Sequence, residues 1–481
     1  MPLARSARLG SLKKPFFVVG GAAGLLLVIA LAAPLFLDIN LHKSRVETAA
    51  SEKLGMDVRI GGRMRMGFFP GFHVSAEDVR ILNEQTEAIA SAHRTRLGID
   101  LLPLLRKRFR LSSVDLTQPM LSIQRDSEGR FNVERLKTTL LGALDGAKVS
   151  IADGTLHYAD SSSGAAIEAT GFDLRVSRLR FVERKSPQFW KRLSMEAEIA
   201  CDSIRTMDFS VSTVTVSARA KDGIVTLEPV TMNVFGGQVA GSLRGEFART
   251  APVYDIRCSL PRFRVEEFLK RLSPDGAAAG AMDFTANLTM NGRSRDALMR
   301  SATGAMSLRG ENLTLIGNDL DRTISRFESS QSFNFVDVGA LFFAGPLGLA
   351  VTKGYNFASL FRGSEESSQI RSLVSDWGIE RGVAHAKDVA MATTENRLAL
   401  TGSLDFVNAR FDDVTVAVID AKGCATVRQV IHGSFAQPVV EKPHILTSLA
   451  GPVLKLYRQT RGLFPAAPCE GFYLGSVAAP Q

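Results

Sequence analysis

The stretch ARAKDGIVTLEPVTMNVFGGQVAGSLRGEF, residues 218–247, decides the fold class. Asp222-Gly223 and Gly236-Gly237 punctuate three short runs in which apolar and polar residues alternate. Alternation of period two puts every second side chain on one face of a strand. Gly beside Asp or Gly supplies the positive φ that a two-residue hairpin turn requires. The stretch therefore reads as strand, turn, strand, turn, strand. The same layout recurs in 378–406, with turns at Arg381-Gly382 and Glu395-Asn396, and 148–160 reads as a further hairpin about Asp153-Gly154. The three agree in layout rather than in residues, which describes a degenerate β-meander.

Outward from this stretch the pattern holds. Leu193, Met195, Ala197, Ile199 and Cys201 share one face of a strand, as do Tyr254, Ile256, Cys258 and Leu260. Met282, Phe284, Ala286, Leu288 and Met290 alternate with polar partners, and so do Val414, Val416 and Val418. In 209–218 the apolar phase slips between Ser212 and Thr213, which predicts a turn or bulge there. One apolar and one polar side per strand is the signature of antiparallel sheet with one wet face. Helices are expected to be few, at 42–54, 265–272, 295–302, 320–329 and 445–458, the last kinked at Pro452. Alternation alone leaves open whether the apolar faces line a groove or fill a closed sandwich.

The chain has 481 residues and a net charge of 58 − 49 = +9, of which Arg5, Arg8, Lys13 and Lys14 supply four. The remaining surplus is too thin to announce a nucleic-acid partner. Phe, at 29 against 5 Tyr and 2 Trp, offers apolar area without a polar handle and suits a dry interior or a lipid-facing surface. Residues 15–37, PFFVVGGAAGLLLVIALAAPLFL, carry no charge and are long enough as a helix to cross ~30 Å of hydrocarbon. The preceding cations orient such a span with its N-terminus in the cytoplasm. A retained signal anchor is expected. A cleaved signal peptide is the competing reading, since Ala30-Leu31-Ala32 mimics a cleavage site.

Catalytic motifs are missing. No two glycines are one residue apart, no Gly-Lys pair occurs, and no Ser has Gly at both −2 and +2. These absences remove the dinucleotide fingerprint, the P-loop and the nucleophile elbow. The seven histidines are scattered, and neither His-Glu-x-x-His nor Cys-x-x-Cys occurs. No catalytic residue, metal site or cofactor is nominated, and the expectation is a non-enzyme. Four cysteines outside the cytoplasm allow three pairings. Cys424–Cys469, in turn-rich sequence, is the expected disulfide. Cys201–Cys258 is the alternative, against buried free thiols on two strands.

The succession of features resembles a known family. LGMDVRIGGRMRMGFFPGFHVSAEDVRILNE (54–84) is followed by LGIDLLPLLRKRFRLSSVDLTQPMLSIQRDSEGRFNVERL (97–136). Farther on come 265–324, with Gly292, Ser294, Ala297 and Leu298 opening a helix, and the closing HGSFAQPVV (432–440). This order is similar to that of the bacterial AsmA family. The resemblance implies a mainly β fold: an N-terminal transmembrane helix, then an elongated, curved antiparallel β-sheet groove with a few short helices. Residues 1–14 would be a cytoplasmic basic tail, 15–37 the anchor and 38–160 an N-terminal β region. A middle meander (161–262) and a C-terminal β region with its terminal helix (263–481) would follow. It further implies an inner-membrane, single-pass protein whose periplasmic body carries phospholipid toward the outer membrane, with the outer membrane or its proteins as further partners. Phe172, Leu174, Val176, Met195, Ile199, Phe284 and Leu288 are the candidate groove lining. The rival expectation is a periplasmic scaffold that assists outer-membrane protein assembly and carries no lipid.

Overall fold

The structure, a computed structural model, describes residues 39–69, 71–83, 87–105, 110–133, 144–181, 191, 193–207, 209–269, 278–316, 319–322, 324–325, 342, 367–442, 444–445 and 471–480. Strand dominates them. No helix among them is long and apolar enough to cross a membrane, and the 15–37 segment lies outside the described residues. The chain divides into two compact units, Met1–Arg184 and Lys185–Gln481.

The first unit opens on a 3₁₀ turn, Ile39–His42, that runs into α1 (Lys43–Leu54). α1 stops at Gly55, whose φ of 72° lets its N–H return to the Ser51 carbonyl at 2.8 Å. Seven strands follow: β1 (Asp57–Ile60), β2 (Met64–Gly67), β3 (His73–Leu82), β4 (Ala88–Ile99), β5 (Leu111–Arg125), β6 (Lys148–Asp160) and β7 (Ala166–Phe181), with α2 (Leu101–Leu105) between β4 and β5. β1 and β2 both pair along β3, and β3, β4 and β5 continue antiparallel.

Two expectations are corrected here. β5 and β6 run parallel, from Ser113↔Lys148 to Arg125↔Asp160, so the sheet is not antiparallel throughout. A parallel neighbour needs a crossover instead of a tight turn, and 126–147 supplies the length. Nor is there a hairpin about Asp153-Gly154, because Lys148–Asp160 is one strand. Asp153 takes a φ of 55° inside it, and the strand stays paired to β5 and β7 on either side of that bulge. Gln118 Nε2 donates to Asp153 Oδ2 at 2.9 Å, and the Asp153 N–H donates to Asp173 Oδ1 at 3.0 Å. The left-handed conformation that Asp tolerates serves a bulge here, where two neighbouring strands hold the chain extended.

The second unit is an antiparallel meander. Its strands are β8 (Leu193–Thr206), β9 (Ser210–Lys221), β10 (Ile224–Val234), β11 (Gly237–Glu246), β12 (Val253–Arg264), β13 (Ala278–Ala279), β14 (Ala281–Asn291), β15 (Thr303–Ile316), β16 (Ser367–Glu380), β17 (Val383–Ala392), β18 (Arg397–Asp405), β19 (Arg410–Ile419), β20 (Ala425–Ser434), β21 (Pro438–Val440) and β22 (His444–Ile445). From β8 to β20 each strand pairs with the next, except that β12 pairs with β14 while β13 lies against β15. No described pairing returns from β20 to β8, so the sheet is open. Asp222-Gly223 turns with φ 51° and 79°, as the sequence predicts. The next turn is Phe235-Gly236, φ 49° and 72°, one residue earlier than the Gly-Gly pair. The phase slip in 209–218 is a bulge: Thr213 has φ 52° and the β9–β10 register shifts there.

Two helices in this unit hold to their expected starts. α3 (Val265–Leu269) and α4 (Arg295–Ser301) begin where expected, α4 with Ser294 Oγ accepting the Ala297 N–H at 3.2 Å. The helix expected over 445–458 does not start at Ile445, which pairs with Val427 as part of β22. Residues 446–458 lie outside the described residues.

Candidate functional site

Register turns the one-sided strands of the second unit into one continuous surface. Directly opposed residues face the same way. The pairings Ile199↔Val216, Val216↔Val230, Val230↔Gly241, Gly241↔Cys258, Cys258↔Ala286, Ala286↔Met306 and Met306↔Trp377 therefore lay eight strands' apolar side chains in one row. A strand spacing of ~4.8 Å makes that row ~34 Å wide. Parallel rows carry Ala197, Ala218, Leu227, Leu243, Ile256 and Leu288, with Met195 and Phe284 on the same face. The other face is polar. Arg219 meets Glu196 at 3.6 Å, Thr289 Oγ1 donates to Asp255 at 2.7 Å, and the Thr215 and Thr231 hydroxyls bond at 2.6 Å.

The face changes character along its width. Over β8 to β10 Met195, Ile199, Val216, Leu227 and Val230 are half-buried, while the smaller Ala197, Cys201, Val214, Ala218 and Ala220 between them on the same face are buried. From β14 to β20 the same face is a filled core. There Met282, Leu373, Trp377, Leu398, Leu404, Val414 and Val416 are buried together with Phe263 of β12 and Val265 and Phe268 of α3. Leu320, Ile324 and Phe342 close it from above. Buried hydroxyls fasten that cover. Ser368 Oγ accepts the Leu320 N–H at 2.5 Å, and Ser375 Oγ donates to the Phe342 carbonyl at 2.7 Å while accepting the Trp377 indole N–H at 2.7 Å.

The back of the same strands is also covered. Val374, Ala390, Ala399, Ala417 and Ile419 pack under Tyr473 and Val477. Arg397, itself buried, donates to the carbonyls of Val477 at 2.9 Å and Asp420 at 2.6 Å. The Tyr473 hydroxyl donates to Asp388 Oδ1 at 2.5 Å, and Ser476 donates to Asp388 Oδ2 through both N–H and hydroxyl. Burial and this carboxylate together push the Tyr473 phenol up to about 12. Burial pushes the Asp388 carboxyl up, but the hydrogen bonds from Ser476 and Tyr473 outweigh it and hold the group below the usual range.

The first unit carries its own apolar face. Met66↔Val74, Val74↔Leu97, Leu97↔Val114, Val114↔Val149 and Val149↔Val176 form one row across it, and Leu116↔Ile151↔Leu174 lies in the next. α1 covers one edge, where Ile39 and Val46 pack on Ile60, Met64 and Ala76. Asn40 clamps this contact by donating to the Met64 carbonyl at 3.3 Å and accepting its N–H at 2.8 Å.

The sequence-derived candidates fall on these surfaces. Phe172, Leu174 and Val176 are half-buried on β7, alternating with exposed Asp173, Arg175 and Ser177. Met195 and Ile199 share the open part of the second face. Phe284 belongs to the filled core, and Leu288 packs at its margin. Sequence reasoning missed Val230, Val114 and Val149, which the register places in the same rows. It also missed the cover by Leu320, Ile324 and Phe342 and the 471–480 segment, whose partners lie tens of residues away and leave no local pattern. Cys424 is disulfide-bonded, while Cys201 and Cys258 are free thiols, so the alternative pairing of those two does not form. Cys469 lies outside the described residues. Among the described residues no group of three or more His, Cys, Asp or Glu side chains is placed to hold a metal ion.

No curated protein matches the chain. The sequence model of the AsmA family matches it over residues 18–139 and 181–384. Those two blocks take in all the strands of the first row up to β5 and, in the second unit, everything from β8 to the start of β17. They cover more than half of the chain, and the protein belongs to the AsmA family.

Proposed function

We propose that the protein is a non-enzymatic carrier of phospholipid. In this reading it is anchored in the bacterial inner membrane by 15–37, with its N-terminus in the cytoplasm and its body in the periplasm. It moves lipid toward the outer membrane. The observation that supports this most is the apolar face of β8 to β10, on which the large side chains Met195, Ile199, Val216, Leu227 and Val230 stay only half-buried. Family membership is in keeping with a lipid-handling, membrane-associated role. Acyl chains laid on such a face leave water at ~0.8 kcal/mol per CH₂. Few polar groups interrupt the face, so it would grip chains without reading headgroups, and lipids would be free to slide.

The test compares phospholipid retained per chain, by mass spectrometry of organic extracts, in the native protein and in the Ile199→Asp, Val216→Asp, Val230→Asp variant. Both are purified as full chains in the same detergent. The variant should lose the lipid that the native chain keeps, with an unchanged strand signal in circular dichroism. Equal lipid in the two would rule out this face as the carrier surface. A native extract without bound phospholipid, alongside a co-purified assembly protein, would favour a scaffold.

A further inference from the structure

We infer that one end of the first unit's sheet is a seat for an anionic phospholipid surface, built from the β2–β3 hairpin tip, α2 and a row of cations that meet no carboxylate among the described residues. The inference rests on the reading that 15–37 spans the membrane.

Three observations converge on that end. First, the apolar side chains there point into solvent. Phe69 is 89% exposed at the hairpin tip, and Leu102 and Leu101 of α2 are 79% and 47% exposed. Tip and helix are neighbours, because the Ile99 N–H donates to the Phe72 carbonyl at 2.9 Å, and the Phe68 and Phe72 rings that flank the tip lie 5.2 Å apart. Exposed Phe and Leu on adjoining loops are what an interfacial contact buries.

Second, the cations change partners along the sheet. At the far end they are satisfied within the protein: Arg59 meets Asp57 at 2.9 Å, Arg80 meets Asp78 at 2.9 Å, Arg125 meets Asp160 at 3.3 Å and Arg130 meets Asp126 at 2.9 Å. Near the tip the polar face carries the row Arg65, Ser75, Arg96, Asp115, Ser150 and Arg175, with Lys148 one position nearer the end. Among the described residues Arg65, Lys148 and Arg175 meet no carboxylate, and Arg96 meets the His73 ring at 3.3 Å. Asp115 is the one acid in that row. A row ~24 Å across with such a surplus is complementary to phosphate headgroups, since each cation near an anionic surface adds to the attraction.

Third, the apolar segment ends here. Asn40, three residues past 15–37, is clamped to Met64, and Phe69 is five residues further along the strand and its turn, within ~17 Å. Leu41 beside the clamp is 79% exposed. A span leaving the bilayer at Asn40 brings the tip, α2 and the cationic row to the headgroup layer. The half-buried row from Met66 to Val176 then reaches the bilayer on the opposite face of the same strand ends.

The experiment places the full chain in nanodiscs of equal parts phosphatidylglycerol and phosphatidylcholine, with acyl chains brominated near the headgroup or left unbrominated. Phe69→Trp reports on the tip, and the native chain supplies the background from its own two tryptophans. Seating ~5–10 Å into the headgroup–acyl boundary should cut the introduced emission about twofold or more in brominated discs. Adding Arg65→Glu, Arg96→Glu and Lys148→Glu should remove most of that quenching while the chain still co-elutes with the discs. A chain that co-elutes but whose introduced indole is unquenched overturns the seat and leaves the anchor standing. A chain that elutes apart from the discs overturns both. A blue-shifted but unquenched indole, with emission that depends on protein concentration, overturns the lipid seat in favour of a second copy of the chain.

Discussion

Two regions of one sheet, β8 to β10 and β16 to β20, share strand length, hydrogen-bond pattern and an unbroken apolar face, yet they use that face differently. In β16 to β20 the face is consumed: α3, Leu320, Ile324 and Phe342 fill it from one side, and Tyr473 and Val477 seal the alanine-rich back. In β8 to β10 the polar back carries Thr, Arg and Glu, and on the apolar front the large side chains Met195, Ile199, Val216, Leu227 and Val230 stay half-buried. Composition follows the use. The closed region places Ala390, Ala399 and Ala417 where its strands must let the 471–480 segment approach, whereas the open region puts hydroxyls and charges at the equivalent outward positions. One antiparallel sheet can thus be part scaffold and part working surface.

The sharpest way to break this contrast is to hollow the closed region. Trp377→Ala removes a side chain that is almost wholly buried and should cost ~3–5 kcal/mol, read as a lower urea midpoint. Arg397→Ala comes next. It strips hydrogen bonds from the Val477 and Asp420 carbonyls and should cost ~1–3 kcal/mol, with limited proteolysis cutting first within 471–480. Ile199→Ala in the open region should cost only about 1 kcal/mol, because part of that side chain already meets solvent. An equal loss at Trp377 and Ile199 would mean that the open face is covered after all.

The closed region should also titrate. The raised phenol of Tyr473 contributes stability that is complete below its unfolded pKa of about 10 and is lost as pH climbs toward 12. The depressed carboxyl of Asp388 contributes stability that is complete above about pH 4 and is lost as pH falls below it. Proteolytic release of 471–480 should therefore rise outside that window, and Tyr473→Phe should flatten the alkaline limb. The smallest effect belongs to the wet face: Thr215→Val should stay within ~0.5 kcal/mol in urea denaturation.

Much of this was legible in the chain before folding. The Asp222-Gly223 turn, the Thr213 bulge, the Ser294 cap and the shared face of Met195 and Ile199 each follow from a few neighbouring residues, and local sterics decide such features. What depends on distant partners was not legible. Asp153-Gly154 is equally fit for a turn or a bulge, and pairing with β5 and β7 chose the bulge. Phe284 and Met195 alternate in the same way, and only the arrival of α3 and Leu320 makes one a core residue and leaves the other half-exposed. Nothing near Asp388 in sequence announces a partner at Ser476, 88 residues on.

That last separation bears on the order in which the molecule is made. Nearly every strand finds its neighbour in the segment synthesised just before it, so the sheet can assemble as the chain emerges. The back of β17 to β19 cannot. It stays an exposed strip of alanines until residues 471–480 arrive, and a chain stalled before Tyr473 would carry that strip uncovered into whatever it meets.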